Sequence, residues 1–262
     1  GASGRRPCRL YGGHVFSPLS RSTQKLISAM MPRKTAFRTT ANPRADRPAD
    51  ELAATQYQIA ELRAAVEVAE AARTYVMAHA YNDESVRNCL EAGVRSIEHG
   101  NLIDEETARL ISLAGAYLVP TLVTYEALSK EGKSYNVPED VIRKIDEARE
   151  LGIQALRFAR EAGVRVASGS DLLGPLQDRK ARELEIKTEV LSPMESLVSA
   201  TKTNASLFGM EGEIGTVEEG KLADLLVVDG NPLENIAVLQ KKSNLKLIMK
   251  GGRAFKSELE KS

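Results

Sequence analysis

A nine-residue phrase recurs four times, and it limits the chain to few folds. It reads AARTYVMAH over 71–79, EAGVRSIEH over 91–99, LAGAYLVPT over 113–121 and EAGVRVASG over 161–169. Two copies share Glu-Ala-Gly-Val-Arg outright. Each begins as the end of a helix, and three carry glycine where a helix turns off through positive φ. Each then runs into a short apolar strand. Helical spacing fills the intervals before and between the copies, starting with Ile59, Leu62, Val66 and Ala69. Asp104 is placed to cap one of these helices, and Pro138 to open another at its first position. Strands alternating with helices predict parallel βα units.

The repeat also serves as a ruler. Its ninth positions are His79, His99, Thr121 and Gly169, and Asp171 follows two residues later. Strand side chains alternate with period two, so Asp171 is expected to keep the facing of Gly169. Two histidines and an aspartate are then predicted at the C-terminal ends of parallel strands, the end that carries the site in α/β barrels. A lone strand-end histidine is more often structural. Two in register with a carboxylate suit zinc or another borderline divalent ion.

Ser192-Pro193-Met194-Glu195 is a capping box that opens a helix expected to reach Phe208 and stop at Gly209. Turn signals then crowd around Leu222–Val228 and Leu245–Met249, which read as strands of a small β-rich unit over 209–262. At the other end, residues 1–52 hold no sustained period and are expected to be irregular. Residues 1–50 carry ten Lys or Arg against two Asp or Glu, and the rest of the chain carries 26 against 34. A basic arm for nucleic acid is the sharper alternative, but the stretch lacks aromatics regularly interleaved with its basic residues. The net charge of zero removes the general electrostatic reason to expect nucleic acid or an anionic membrane as partner. No apolar run approaches the roughly 20 residues of a membrane span. Of the two cysteines, Cys8 and Cys89, the second falls on an apolar helix side and reads as a buried thiol. A reducing, cytoplasmic setting is expected.

Five stretches stand out: VMAHAY at 76–81, SIEHGNLID at 96–104, VPTLVTYEAL at 119–128, SGSDLLG at 168–174 and GKLADLLVVDGNPL at 220–233. Together they resemble the amidohydrolase superfamily, in its imidazolonepropionase-like branch with the Xaa-Pro dipeptidases. The resemblance spans roughly 53–256. It implies an α/β fold: the C-terminal half of a (β/α)8 TIM-type barrel over 53–208, followed by a small β-sandwich-type unit. It implies a divalent metal cofactor, zinc first, with His79 and His99 as ligands from strands five and six. Asp171 would be the strand-eight ligand that also moves the proton of an attacking water. Tyr125 would contact substrate, although a wall tyrosine is the commoner role for such a residue. The implied substrates are dipeptides or N-acyl amino acids, cut at the amide C–N bond.

The departures are as specific. The family's first-strand His-x-His pair occurs nowhere in the chain. Lys25 and Lys34 match the bridging strand-four lysine poorly, and Gly12-Gly13-His14 is a weak echo of a substrate loop. A complete member would need roughly 120 further residues ahead of this region. Residues 1–52 are therefore read as a lost, replaced or misjoined N-terminal half, and impaired activity is expected. A non-catalytic remnant is the alternative, and a phosphate-binding barrel fragment ranks last for want of a glycine-rich loop. An exposed half-barrel edge would favour a homo-oligomer.

Overall fold

The computed structural model describes residues 37–40, 55–132 and 137–259. Strand β1 (Phe37–Thr40) is followed by α1 (Ile59–Ala71), β2 (Val76–Asn82), α2 (Asp83–Ala92), β3 (Ser96–Leu102), α3 (Glu105–Leu113) and β4 (Tyr117–Val119). Then come α4 (Leu122–Glu131), α5 (Glu139–Glu161), β5 (Arg165–Val166), a 3₁₀ turn (Gly174–Arg179) and α6 (Arg182–Lys187). The five strands form one parallel sheet in chain order β1-β2-β3-β4-β5. That is the βα arrangement expected of part of a TIM-type barrel. Strand β1 lies in the stretch expected to be irregular. Its four residues, Phe-Arg-Thr-Thr, are too few to set a period. The rest of 1–52 lies outside the described residues, as do Cys8, His14, Lys25 and Lys34.

All four copies of the phrase do what the repeat predicts, joining α1 to β2, α2 to β3, α3 to β4 and α5 to β5. Gly93, Gly115 and Gly163 take φ of 89°, 63° and 71° at the helix exits. Arg73 holds the same place in the first copy and is forced to φ 56°. Pro138 stands one residue earlier than expected, as the cap of α5. Asp104 caps α3, its side chain accepting from the Thr107 amide at 2.7 Å.

The outer sheet face is small and apolar. Ala78, Ala80, Ile97 and Leu118 are completely buried beneath Leu62, Val86, Cys89, Ala108, Ile111 and Ala159 of the covering helices. Alanines on both sides let helix backbones approach closely. Cys89 is a free buried thiol, and desolvation pushes its pKa up to about 12.

The capping box at Ser192 opens α7 (Pro193–Val198), which widens into a π turn (Ser199–Thr203) before α8 (Asn204–Leu207) ends at Gly209, φ 65°. Beyond it, β6 (Leu225–Val228), β7 (Leu245–Lys250) and β8 (Arg253–Ser257) form a single antiparallel sheet among the described residues. The expected sandwich is thus represented by one layer, with Leu226 and Phe255 exposed. No helix among the described residues is long and apolar enough to cross a membrane.

Arg73 is exposed and sits where its sister copies use glycine. An L-residue at positive φ costs roughly 1–2 kcal/mol, partly offset by the backbone entropy glycine gives up on folding. Arg73→Gly is expected to raise the unfolding free energy by about 0.5–1 kcal/mol, measured by urea denaturation, with the family of helix contacts unchanged.

Candidate metal centre

The inner sheet face is polar where the outer is apolar. Register pairs His79 with Glu98, and Ala80 with His99, so the two histidines are not equivalent in the sheet. Regular alternation would send His99 to the face opposite His79. It does not, because His99 takes φ 78° and the β2–β3 pairing is bulged between Ala80 and Asn82. The expectation of one common facing along regular strands is corrected here: the convergence comes from a break in the strand. Asp171 is likewise reached by a turn. Strand β5 ends at Val166, and Asp171 takes φ 46°.

Despite these departures the three side chains meet. Donor atoms of His79, His99 and Asp171 all lie within 4.8 Å of one another. His79 Nδ1 and His99 Nε2 are 2.5 Å apart, closer than an ordinary N–H···N hydrogen bond. Both rings are buried, while Asp171 is exposed at the mouth. They line a cavity of about 160 Å³ with Met77, Glu98, Thr121, Gly169 and Ser170. Gly169 is required there, since a Cβ would lie 2.7 Å from Val119 Cγ1.

The His99 ring is held on several sides. Its Nδ1 is 2.8 Å from Thr121 Oγ1. Tyr81 stacks on it with centroids 4.8 Å apart and planes 3° from parallel, and Tyr125 meets it edge-on at 6.3 Å. The Tyr125 hydroxyl is enclosed. Burial, then the neighbouring Tyr81 and Asp171, raise its pKa well above the ordinary tyrosine value.

Thr121 sits in the left-handed region, φ 49°, immediately before α4. The buried Glu183 carboxylate of α6 stabilises that helix start, with Oε2 accepting from the Val123 amide at 2.7 Å. Burial raises the Glu183 pKa. One turn on, the fully buried Lys187 donates to Ser199 Oγ at 2.5 Å, and burial lowers its pKa to about 8 against the pull of Glu183. Asn204 of α8 clamps the approach to Asp171, its Oδ1 accepting from the Ser168 amide at 2.9 Å and its Nδ2 donating to the Ser168 carbonyl at 3.0 Å.

The donor set fits a divalent ion. A tetrahedral zinc with Zn–N of about 2.0–2.1 Å separates two ligand nitrogens by about 3.3 Å. The two rings therefore need to part by less than about 1 Å. The structure brings the three residues singled out in the sequence together, with Thr121, Glu183 and Asn204, which were not singled out, packed around them. Thr121 had a signal, its ninth place in the repeat. Glu183 had none, since a glutamate in Arg-Glu-Leu-Glu reads as a solvated helix face.

The amidohydrolase family profile matches residues 29–255. The chain belongs to the amidohydrolase family. The match starts ahead of the resemblance read from the motifs and takes in β1. Ochratoxinase of Aspergillus niger is 30% identical over 207 residues, 77% of this chain and 42% of that protein. A solved prolidase complexed with N-methylphosphonate-L-proline is 39% identical, covering 90% of this chain and 59% of that one, with TM-score 0.83. A solved Xaa-Pro dipeptidase with bound methionine in its active site is 31% identical, covering 85% and 54%, with TM-score 0.77. This amidohydrolase chain spans about half the length of the curated relatives it matches.

The buried lysine makes a pH prediction. A lysine whose folded pKa is depressed to about 8 releases its proton on folding between that value and its unfolded value near 10.4. Its contribution to stability therefore rises with pH across that window. Cys89 pulls the opposite way, so the useful quantity is a difference. The unfolding free energy of the unaltered chain minus that of Lys187→Met is expected to increase from pH 8 to pH 10, on the order of 1 kcal/mol per unit of separation between the two pKa values. Parallel stability curves over this range would contradict the reading.

Proposed function

We propose that the chain carries the metal-binding part of a hydrolase that cuts the amide C–N bond of dipeptides or N-acyl amino acids. The observation that carries this is the convergence of two buried imidazole nitrogens, 2.5 Å apart, with an exposed carboxylate. Unlike-facing strand positions have been bent into one site, which a purely structural pair of histidines would not require. His79 Nδ1, His99 Nε2 and a carboxylate oxygen of Asp171 would hold one divalent ion, zinc first among the borderline metals.

When bound, the ion would supply Lewis acidity toward water and toward the scissile carbonyl. The remaining work falls to the chain. The buried imidazoles form a rigid floor that excludes solvent. Asp171 at the mouth is placed to take the proton of an attacking water and deliver it to the leaving nitrogen as the C–O bond forms and the C–N bond breaks. Tyr125, with its hydroxyl enclosed and its ring edge-on to His99, forms part of the wall of the site, and its contact with substrate remains part of the proposal. The substrate class is suggested by the prolidase, dipeptidase and ochratoxinase relatives.

A second reading, a metal-binding chain without turnover, is favoured by one feature. Among the described residues three candidate ligands converge, the sequence given holds no His-x-His pair, and a sparser site is less preorganised for rate. Elemental analysis of the purified chain is expected to find about one zinc per chain, lost in the His79→Ala, His99→Ala double variant. Zinc no higher than in that variant would overturn the site. With zinc bound, hydrolysis of dipeptides or N-acyl amino acids above the variant's background supports the first reading. Its absence supports the second.

A further inference from the structure

The environment of His99 divides into a donor side and a support side. Its Nε2 faces His79, and its Nδ1 faces Thr121 Oγ1 at 2.8 Å. The two ring nitrogens are not independent, because the proton held by one leaves the lone pair on the other. Thr121 reaches this place only by adopting φ 49°, a conformation that costs a β-branched residue on the order of 1–3 kcal/mol. Something must hold it there, and Glu183 does. Its carboxylate accepts from the Val123 amide at 2.7 Å, fixing the first turn of α4 directly after Thr121. Glu183 is itself 1% exposed on α6.

We propose that Thr121 is a positioning residue for the metal ligand His99, its hydroxyl accepting the Nδ1 proton and committing Nε2 to the ion, with the Glu183 cap on α4 holding Thr121 in its strained turn. This rests on the metal site proposed above and adds the device that sets its tautomer. The hydroxyl keeps its own proton for another acceptor, so no charge is created. Support of this kind typically changes metal affinity by about 10–100-fold.

The test exploits an isosteric pair. Thr121→Val keeps the β-branch, volume and backbone strain, and removes only the hydroxyl. Thr121→Ser keeps the hydroxyl. Zinc affinity is measured on the full chain by competition with a chromophoric chelator, and Co²⁺ absorption spectra report ligand geometry. Thr121→Val is expected to bind zinc about 10–100-fold more weakly with an altered Co²⁺ spectrum, while Thr121→Ser stays within a few-fold of the unaltered chain. Glu183→Gln, which keeps an acceptor for the Val123 amide, is expected to bind more tightly than Glu183→Ala. Urea denaturation of each variant separates loss of folding from loss of binding. Equal zinc affinity and an unchanged Co²⁺ spectrum in Thr121→Val would overturn the positioning role and leave the site intact. Failure of the unaltered chain to bind zinc would overturn the site and this role with it.

Discussion

Two imidazole nitrogens 2.5 Å apart on two buried rings are the constraint around which this end of the molecule is arranged. Ordinary strand geometry would not bring them together. Register sets His79 beside Glu98, and a regular β3 would turn His99 away. Positive φ at His99, Thr121 and Asp171 converts three strand ends into inward-facing turns. Each such residue costs on the order of 1–3 kcal/mol. Of the four non-glycine residues with positive φ among those described, three are at this site. Concentrated strain of that kind fits a purpose the fold alone does not supply, and a bound cation would offset it.

The rest of the sheet makes the strain tolerable. Its outer face is a layer of alanine, isoleucine and leucine with helices packed flat against it. The strand ends are thereby anchored on one side while their tips bend on the other. Support then arrives from further along the chain. Glu183 holds the start of α4, and Asn204 holds both polar groups of Ser168 on the way to Asp171. The buried Lys187 lies beside Glu183 in the same helix and is held by Ser199 in the π turn. An ionisable pair kept so far from solvent is a weak source of net stability. Its value here is geometric: Glu183 ties α6 to the first turn of α4, after Thr121, and Lys187 ties it to the π turn.

Much of this was legible in the residues. The repeated phrase gave the helix exits and strand starts of four βα units, because glycine at a helix end and an apolar run after it are local signals. It also brought forward His79, His99 and Asp171 as candidates, and these three do come together. What the repeat could not show was how they converge. The ruler assumed regular alternation, yet His99 and Asp171 arrive through left-handed turns, and a left-handed histidine or aspartate carries no local sequence mark. Strand β1 was missed because four residues cannot display a period. The third strand of the tail sheet, Arg253–Ser257, was missed because charged residues interrupt it. Glu183 escaped because burial of a glutamate depends on long-range packing that no window of sequence contains.

The central claim is that one ion is held by two imidazoles and a carboxylate. X-ray absorption at the zinc edge of the purified, zinc-loaded chain reads that ligand set directly. The expected spectrum has four or five nitrogen and oxygen neighbours at about 2.0–2.1 Å, with outer-shell scattering from two imidazole rings that vanishes in the His79→Ala, His99→Ala chain. A spectrum without imidazole scattering, or with sulfur in the first coordination sphere, would contradict the assignment.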